Sequence, residues 1–306
     1  MNMSDKLQRL IERAKQNPPL TIAVVDAGER HVMQGVAQAL DHQLIEPVFI
    51  GIPQRIEATA LEAGVPLDGH RVVEATSEED AARKGTEMAA TGDVAGLMKG
   101  WLHTDVLMHP VLARLRTDRW LSHVFVVELA SYHKLMFVTD AAINIAPDLM
   151  QKAAIVQNAV DLARVLGIEL PKVAALSAVE VIKPEIASTV DAACLSKMAQ
   201  RRQIRHAMVD GPLAFDNAIS LESAQTKQID SDVAGDVDVL LAPDLNSGNI
   251  LAKDLEYLAG GVMAGVVVGA KVPIVLPSRS DPPVARLASV AIASIMHHDF
   301  GKMFDE

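Results

Sequence analysis

The feature that most constrains this chain is a rhythm. Short aliphatic runs alternate with helical patterns along most of its length. Residues 20–25 (LTIAVV) read as a strand that closes on Asp26-Ala27-Gly28, and a helix is expected over 30–40. A second strand at 47–50 stops at Gly51, and another at 94–98 ends on Lys99-Gly100. Residues 124–129 and 135–139 read as adjacent strands joined by a short turn around Ser131-Tyr132-His133. A helix over 147–166, stopped by Gly167, leads to a strand at 172–176, a helix at 185–200 and a strand at 206–210. A strand at 237–242, a loop at 243–248 and a helix at 249–258 come next. The pattern closes with a strand at 273–276, a loop at 277–283 and a helix through Met296. Strands separated by crossover helices pair in parallel with right-handed connections. Such sheets hold ligands beyond the carboxyl ends of their strands, so function is expected in the loops that follow strands.

Length and composition narrow the reading. A chain of 306 residues makes one large domain or two ordinary ones, and no linker rich in Pro, Gly or Ser marks a boundary. Half of the residues are hydrophobic but only 3% are aromatic, so Ala, Val, Leu, Ile and Met must fill the core of a layered α/β protein. A formal net charge of -11 argues against nucleic acid as the main partner. It leaves room for a small anion, because a few Lys and Arg focused in a cleft hold phosphates inside an acidic protein. Cys194 is the sole cysteine and sits in a helical pattern, AACLSKM, which leaves no disulfide framework and no cysteine metal cluster. His297-His298-Asp299 is adjacent rather than spaced by a helical turn and is not expected to bind metal. The first 19 residues read as a charged amphipathic helix rather than a signal peptide, and no run reaches the roughly 18 apolar residues of a bilayer span. A soluble cytoplasmic protein without membrane attachment is expected.

Four post-strand loops carry polar groups. Lys99, Gly100 and Thr104 combine a cation, a small turn residue and a hydroxyl, which suits an anion; a solvated turn with Thr104 as N-cap accounts for them as well. Asp210 and Asp216 flank a Gly-Pro turn where either could orient a ligand hydroxyl, and turn chemistry alone explains Asp-Gly-Pro. In Pro243-Asp244-Leu245-Asn246-Ser247-Gly248-Asn249, a glycine that admits close approach precedes a helix N-terminus, the arrangement of a phosphate or pyrophosphate cradle. It is not a G-x-G-x-x-G fingerprint, so dinucleotide binding receives no support. The fourth, Ser278-Arg279-Ser280-Asp281, packs an oxyanion-stabilising hydroxyl, a phosphate-matching guanidinium and a carboxylate base into four residues, and it ranks first.

These residues bring a family into view. Val233-Ala234-Gly235 followed by the run Val239 to Asn249 (VLLAPDLNSGN) resembles the phosphate acetyltransferase and phosphate butyryltransferase family. Pro171 to Ser177 (PKVAALS), Thr139-Asp140, Asp210-Gly211 with Asp216, and Ser278-Arg279 fall in the same order, and the resemblance spans nearly the whole chain. It implies two α/β domains with a cleft between them, in an isocitrate/isopropylmalate dehydrogenase-like architecture. The first would comprise residues 1–138 plus 279–306 and the second 139–278. It implies reversible transfer of a short acyl group, acetyl or butyryl, between CoA and inorganic phosphate, with acyl-CoA, acyl phosphate and phosphate as partners. No tightly bound cofactor is expected, coenzyme A being a substrate, and the protein would be a homodimer. By the resemblance Ser278 stabilises the oxyanion, Arg279 holds phosphate and residues 246–249 shape the site. His109-Pro110 stands where acetyl-specific members carry Arg-Pro, and Asp281 follows Arg279 by two positions where theirs lies further on. The Ser-Arg-x-Asp arrangement and the short N-terminal region resemble the butyryl-type branch, or the acyltransferase half of forms fused to a hydratase-like domain. Two other readings share the architecture: a silent CoA- or acyl-phosphate-binding regulatory domain, and a decarboxylating dehydrogenase, which would require a cluster of metal-binding Asp residues.

Overall fold

The structure, a computed structural model, describes residues 5–277, 281–299 and 301. In chain order the elements are α1 (Asp5–Ala14), β1 (Leu20–Val25), α2 (Arg30–Asp41), β2 (Ile45–Gly51), α3 (Pro53–Ala63), β3 (Arg71–Glu74), α4 (Glu78–Thr91), β4 (Gly96–Lys99), α5 (Thr104–Arg114), β5 (Ser122–Glu128) and β6 (Met136–Thr139). They continue as α6 (Leu149–Val165), β7 (Lys172–Leu176), α7 (Ala187–Gln200), β8 (Met208–Leu213), α8 (Phe215–Ile219), α9 (Leu221–Thr226), β9 (Val239–Leu241), α10 (Leu245–Tyr257), β10 (Val262–Val268), β11 (Ile274–Val275) and α11 (Pro283–Asp299). Two compact units emerge: one takes the chain up to Arg119 and from Ala264 onward, the other Trp120–Met263. The first unit takes two separate stretches of chain, and β5 goes with the second because it pairs antiparallel with β6, Phe125 opposite Val138.

In the first unit the strands run β3-β2-β1-β4-β11-β10. All are parallel except β10, which lies antiparallel to β11. The chain builds outward from β1 through β2 to β3 and then returns with β4 on the other side of β1. Right-handed crossovers therefore put α2 and α3 on one face and α4 on the other. The inner strands are aliphatic and covered, with Ile22, Val24, Phe49 and Leu97 fully buried, while the edge strand β3 (RVVE) is largely exposed. α11 packs against α1 and α2, and its buried residues are mostly Ala, Val, Ile and Leu, with Arg286, Ser289, Ser294 and Met296 among them.

In the second unit the order is β5-β6-β9-β7-β8, with β6, β9, β7 and β8 mutually parallel. The step from β6 to β7 skips one place, which β9 later fills. The crossovers through α6 and α7 run in one direction and share a face; the return to β9 puts α8, α9 and α10 on the other. There Val127, Leu176, Leu213, Leu240 and Leu255 form the core, with Phe125 and Phe215 packed on it. An Asp148–Gln151 capping box starts α6. At the amino ends of the strands Asp236 binds Lys134 at 3.0 Å, Lys172 at 2.7 Å and His133 at 2.9 Å, so this ion cluster stands at the edge opposite the post-strand loops.

Three expectations about elements change. Neither β10 nor β3 was anticipated: VMAGVVV is an unbroken apolar run whose flanks give no period, and RVVE is a short exposed edge strand with charged ends. α10 begins at Leu245, not at Asn249, since Asp244 caps it by accepting from Ser247 N at 2.9 Å. β8 continues to Leu213, so Asp210 and Gly211 lie within a strand rather than in the loop after it.

Candidate active site

In the first unit the parallel neighbours β1, β4 and β11 end at one edge, and the reversal of strand order falls between β1 and β4. That is the place where open α/β sheets admit ligands. The turn after β4 is locked onto the one after β1: Gly100 N donates to Val25 O at 2.8 Å and Trp101 N to Asp26 O at 3.0 Å. A side chain at position 100 would collide with the carbonyl oxygens of Val25 and Asp26, so only glycine fits. Lys99 is not a solvent-facing cation. It is 4% exposed and its Nζ donates to Leu102 O at 3.1 Å, closing its own turn. Thr104 is the first residue of α5 and His103, not Thr104, occupies the N-cap; His103 N reaches Glu78 at 3.3 Å.

Asp281 begins the segment leading into α11 and is partly exposed. Its carbonyl oxygen accepts from Arg286 Nε at 3.4 Å. Arg286 is only 1% exposed, on a helix whose buried side is mostly aliphatic. Burial pulls its guanidinium down from the usual arginine range, while the charges of Asp281 and Glu29 push it back up. Glu29 is the N-cap of α2, accepting from His31 N at 2.8 Å and Val32 N at 3.1 Å. Gly35 makes the passage for Arg286, since a Cβ there would meet Arg286 Cδ at 2.9 Å. Arg286 thus faces the post-β1 turn and Asp281 together. Ser278 and Arg279, expected to lead the chemistry, lie outside the described residues.

In the second unit the residues expected near the ligand gather around Asp140, the first residue after β6. Its Oδ1 accepts from Ala142 N at 2.8 Å and Ile143 N at 2.9 Å; its Oδ2 accepts from His123 N at 3.0 Å and Asn144 Nδ2 at 2.6 Å. Four N–H donors fold the post-β6 turn around one carboxylate. Gly248 presses against Asp140 O, which leaves no room for a Cβ, and Asn249 Nδ2 donates to Ala141 O at 3.1 Å. The glycine therefore serves the seat of α10 on this turn. Asn246 lies in the same first turn of α10, whose N-terminus offers the positive end of its dipole at the sheet edge.

Asp216, on α8, reaches this edge but is engaged: Ser223 Oγ donates to it at 2.7 Å and Lys227 pairs with it at 3.0 Å. Those two hydrogen bonds, Ser223's the larger effect, hold its carboxyl below the usual range. Lys227 also reaches Glu180 at 3.2 Å, tying the post-β7 and post-β8 segments together. Asp210 is not with the others. Within β8 it lines a hollow of about 490 Å³ with Ser196, Gln200, Asp230 and Asp232.

Sequence reasoning missed His123 and Arg286. A single Arg inside the apolar pattern of 283–299 was the available signal for the second; a lone His in a strand gave none for the first. No group of three or more His, Cys, Asp or Glu among the described residues is placed to hold a metal ion, and no helix among them is long and apolar enough to cross a membrane.

Comparison with known proteins sets this geometry in a family. The model of the phosphate acetyl/butyryl transferase family matches residues 73–294. A phosphate acetyltransferase of Rickettsia typhi is 47% identical over 293 residues, covering 94% of this chain and 84% of that protein. The crystal structure of a branched-chain phosphotransacylase from Enterococcus faecalis superposes with a TM-score of 0.78 at 31% identity, covering 91% of this chain and 99% of that one. A 4-hydroxythreonine-4-phosphate dehydrogenase from Klebsiella pneumoniae shares the fold alone, with a TM-score of 0.54 at 12% identity over 91% of this chain and all of that one. That likeness agrees with the dehydrogenase-like architecture expected from sequence. A family model covering most of the length, relatives alike over more than nine-tenths of this chain and motifs in the family's order lead to one statement: the chain belongs to the phosphate acetyl/butyryl transferase family.

Proposed function

We propose that this protein is an acyltransferase that moves a short acyl group reversibly between coenzyme A and inorganic phosphate. The observation that carries the reading is the match of residues 73–294 to the family, a span holding all eleven residues singled out from sequence. In the synthetic direction the CoA sulfur attacks the carbonyl carbon of an acyl phosphate. A C–S bond forms, the bond from carbon to the bridging oxygen breaks, and phosphate leaves with the bond's electron pair. The thiol proton passes to a carboxylate; the reverse reaction runs the same steps backwards.

The assignment of roles is ours. Arg279 holds the phosphate oxygens as a bidentate fork, and Ser278 donates to the oxyanion that develops on the acyl oxygen. Asp281 takes the thiol proton; Arg286 lies beside it, its Nε donating to the Asp281 carbonyl oxygen. Lys99 and Gly100 fix the turn after β4, with Thr104 opening α5 beside them. Asn246, Gly248 and Asn249 shape the substrate-facing turn of the second unit, and Asp216 braces the neighbouring segments. Asp210 stands apart from the others, inside β8 and lining a separate hollow. Coenzyme A acts as a substrate and no tightly bound cofactor takes part. The protein works in the cytoplasm as a homodimer, with either an acetyl or a butyryl preference.

Arg279→Ala tests the reading directly. It abolishes most phosphate-dependent turnover while the variant still binds CoA. Unchanged turnover in the folded variant would remove Arg279 from the mechanism and with it the role given to that loop.

A further inference from the structure

The largest side chain that α11 buries is an arginine, and stability does not explain it. Arg286 is 1% exposed. Its stem runs across α2, where a Cβ on Gly35 would meet its Cδ at 2.9 Å and its Cβ at 3.4 Å. At its head, Nε donates to the backbone oxygen of Asp281 at 3.4 Å, and the charges of Asp281 and Glu29 act on the guanidinium against its burial. Taking an ion out of water is unfavourable, and an aliphatic side chain of similar volume fills such a place without that penalty. Neither acid depends on the arginine. Glu29 accepts from His31 N at 2.8 Å and Val32 N at 3.1 Å and pairs with His31 Nδ1 at 2.9 Å, while Asp281 is partly exposed.

Position within the first unit supplies another reason. β1, β4 and β11 are parallel and end at one edge, where Gly100 N and Trp101 N tie the turn after β4 to the turn after β1. Glu29 caps α2 just beyond the turn after β1, and Asp281 precedes α11, the helix that follows β11 in the chain. The guanidinium faces both. α11 opens with Ala285 N and Arg286 N donating to Pro282 O, at 3.0 and 3.4 Å, so Asp281 lies just outside the helix's own hydrogen bonds. Its place is set by what holds its backbone, and Arg286 holds it from inside the unit.

We propose that Arg286 is a positioning residue of acyl transfer, fastening Asp281 to the α2 cap so that its carboxylate stands where the CoA thiol delivers its proton. The inference rests on the acyltransferase reading, with Asp281 as the base. Arg286, being buried, acts through Asp281 and not on the substrate. The thiol proton passes to the Asp281 carboxylate as sulfur attacks the acyl carbon, and phosphate leaves with the electron pair of the broken C–O bond. A base held within hydrogen-bond reach of the sulfur accepts this proton at pH values where the free thiol is almost wholly protonated. A base displaced by about 1 Å loses on the order of 100-fold. The shape of the side chain matters as well as its charge, since a lysine at this position keeps the charge and loses the planar array of N–H donors.

The test follows the direction that consumes the thiol, acetyl phosphate with CoA, from pH 6 to 8, and takes the ratio of variant to native kcat/KM for CoA. The groups facing Arg286 are Asp281, Glu29 and, through Glu29, His31; α1 meets α11 at its far end, with Arg13 on Asp299 at 2.8 Å. All of them are present in the native chain and in the Arg286 variants, so their own ionisation enters both sides of the ratio. Arg286→Met lowers the ratio about 100-fold at pH 6, and the ratio then climbs close to tenfold per pH unit as solution thiolate replaces the displaced base. Arg286→Lys falls less and climbs less steeply, and Asp281→Asn reproduces the slope of Arg286→Met. The thermal midpoint of Arg286→Met stays within about 3 °C of native. A merely structural arginine would lower that midpoint and leave the ratio flat with pH, which overturns the proposal. So does native turnover by Arg286→Met, or by Asp281→Asn. Should Arg286→Met fail to fold, Arg286→Lys decides, and a ratio near one at every pH overturns the proposal. Turnover by the native chain in the same assay separates failure of this proposal from failure of the acyltransferase reading.

Discussion

Replacing Asp140 with Asn changes almost no volume and tests how the turn after β6 is held together. The carboxylate accepts two N–H bonds on each oxygen: Ala142 and Ile143 on one, His123 and Asn144 on the other. An amide offers one oxygen. Whichever way it is placed, its NH2 faces two donors, so two hydrogen bonds to a charged group are lost at a residue only 3% exposed. At about 1.5–3 kcal/mol each, with partial relaxation of the turn, the loss comes to about 4 kcal/mol. For a chain of this size that corresponds to a drop of roughly 10 °C in thermal midpoint. Because Gly248 and Asn249 seat α10 on this turn, kcat/KM for acyl transfer falls as well, at temperatures where the variant is still folded. The assay is thermal unfolding by circular dichroism beside initial rates, with Asp230→Asn, an exposed carboxylate, as the control expected within about 0.5 kcal/mol of native. A shift below about 1 kcal/mol for Asp140→Asn would refute the argument that this carboxylate organises the turn.

Two further predictions concern the frame. Burial pushes the Asp236 carboxyl up, but hydrogen bonds from Lys172, Lys134 and His133 outweigh it and hold it well below the usual range. Its stabilising contribution is therefore fully present above the unfolded value of about 3.9 and lost as pH falls from there toward the lower folded value, so thermal midpoints measured from pH 5 to 3 fall less steeply in Asp236→Asn, which starts lower at pH 7. Gly100→Ala forces a methyl group against the carbonyls of Val25 and Asp26; unfolding measurements will show a loss of about 3 kcal/mol or more, or a chain recovered only from inclusion bodies.

Most of the framework was legible because the strands are aliphatic and buried on both sides, so runs such as LTIAVV and KVAAL announce themselves and their helices follow by handedness. Positions at element ends were less legible. Asp244 and Asn249 are both good starts for a helix, and only the bond from Ser247 N to Asp244 decides in favour of the earlier one. The Asp-Gly-Pro run suggested a turn, yet β8 carries it as an edge strand beside β7. Lys99 illustrates a deeper limit: a lysine after a strand looks like an anion contact, and nothing local tells that its amine folds back on Leu102. His123 and Arg286 gain meaning from partners distant in sequence, Asp140 for one and Glu29 with Asp281 for the other, which no local pattern contains.

The most direct test of the central claim is release of free CoA from acetyl-CoA, propionyl-CoA and butyryl-CoA, followed with a thiol reagent in the presence and absence of inorganic phosphate. The account predicts release that requires phosphate, with the acyl phosphate appearing in equal amount and the ranking of the three thioesters defining the acyl preference. Folded protein that binds CoA yet releases none from any of the three, with or without phosphate, would contradict it.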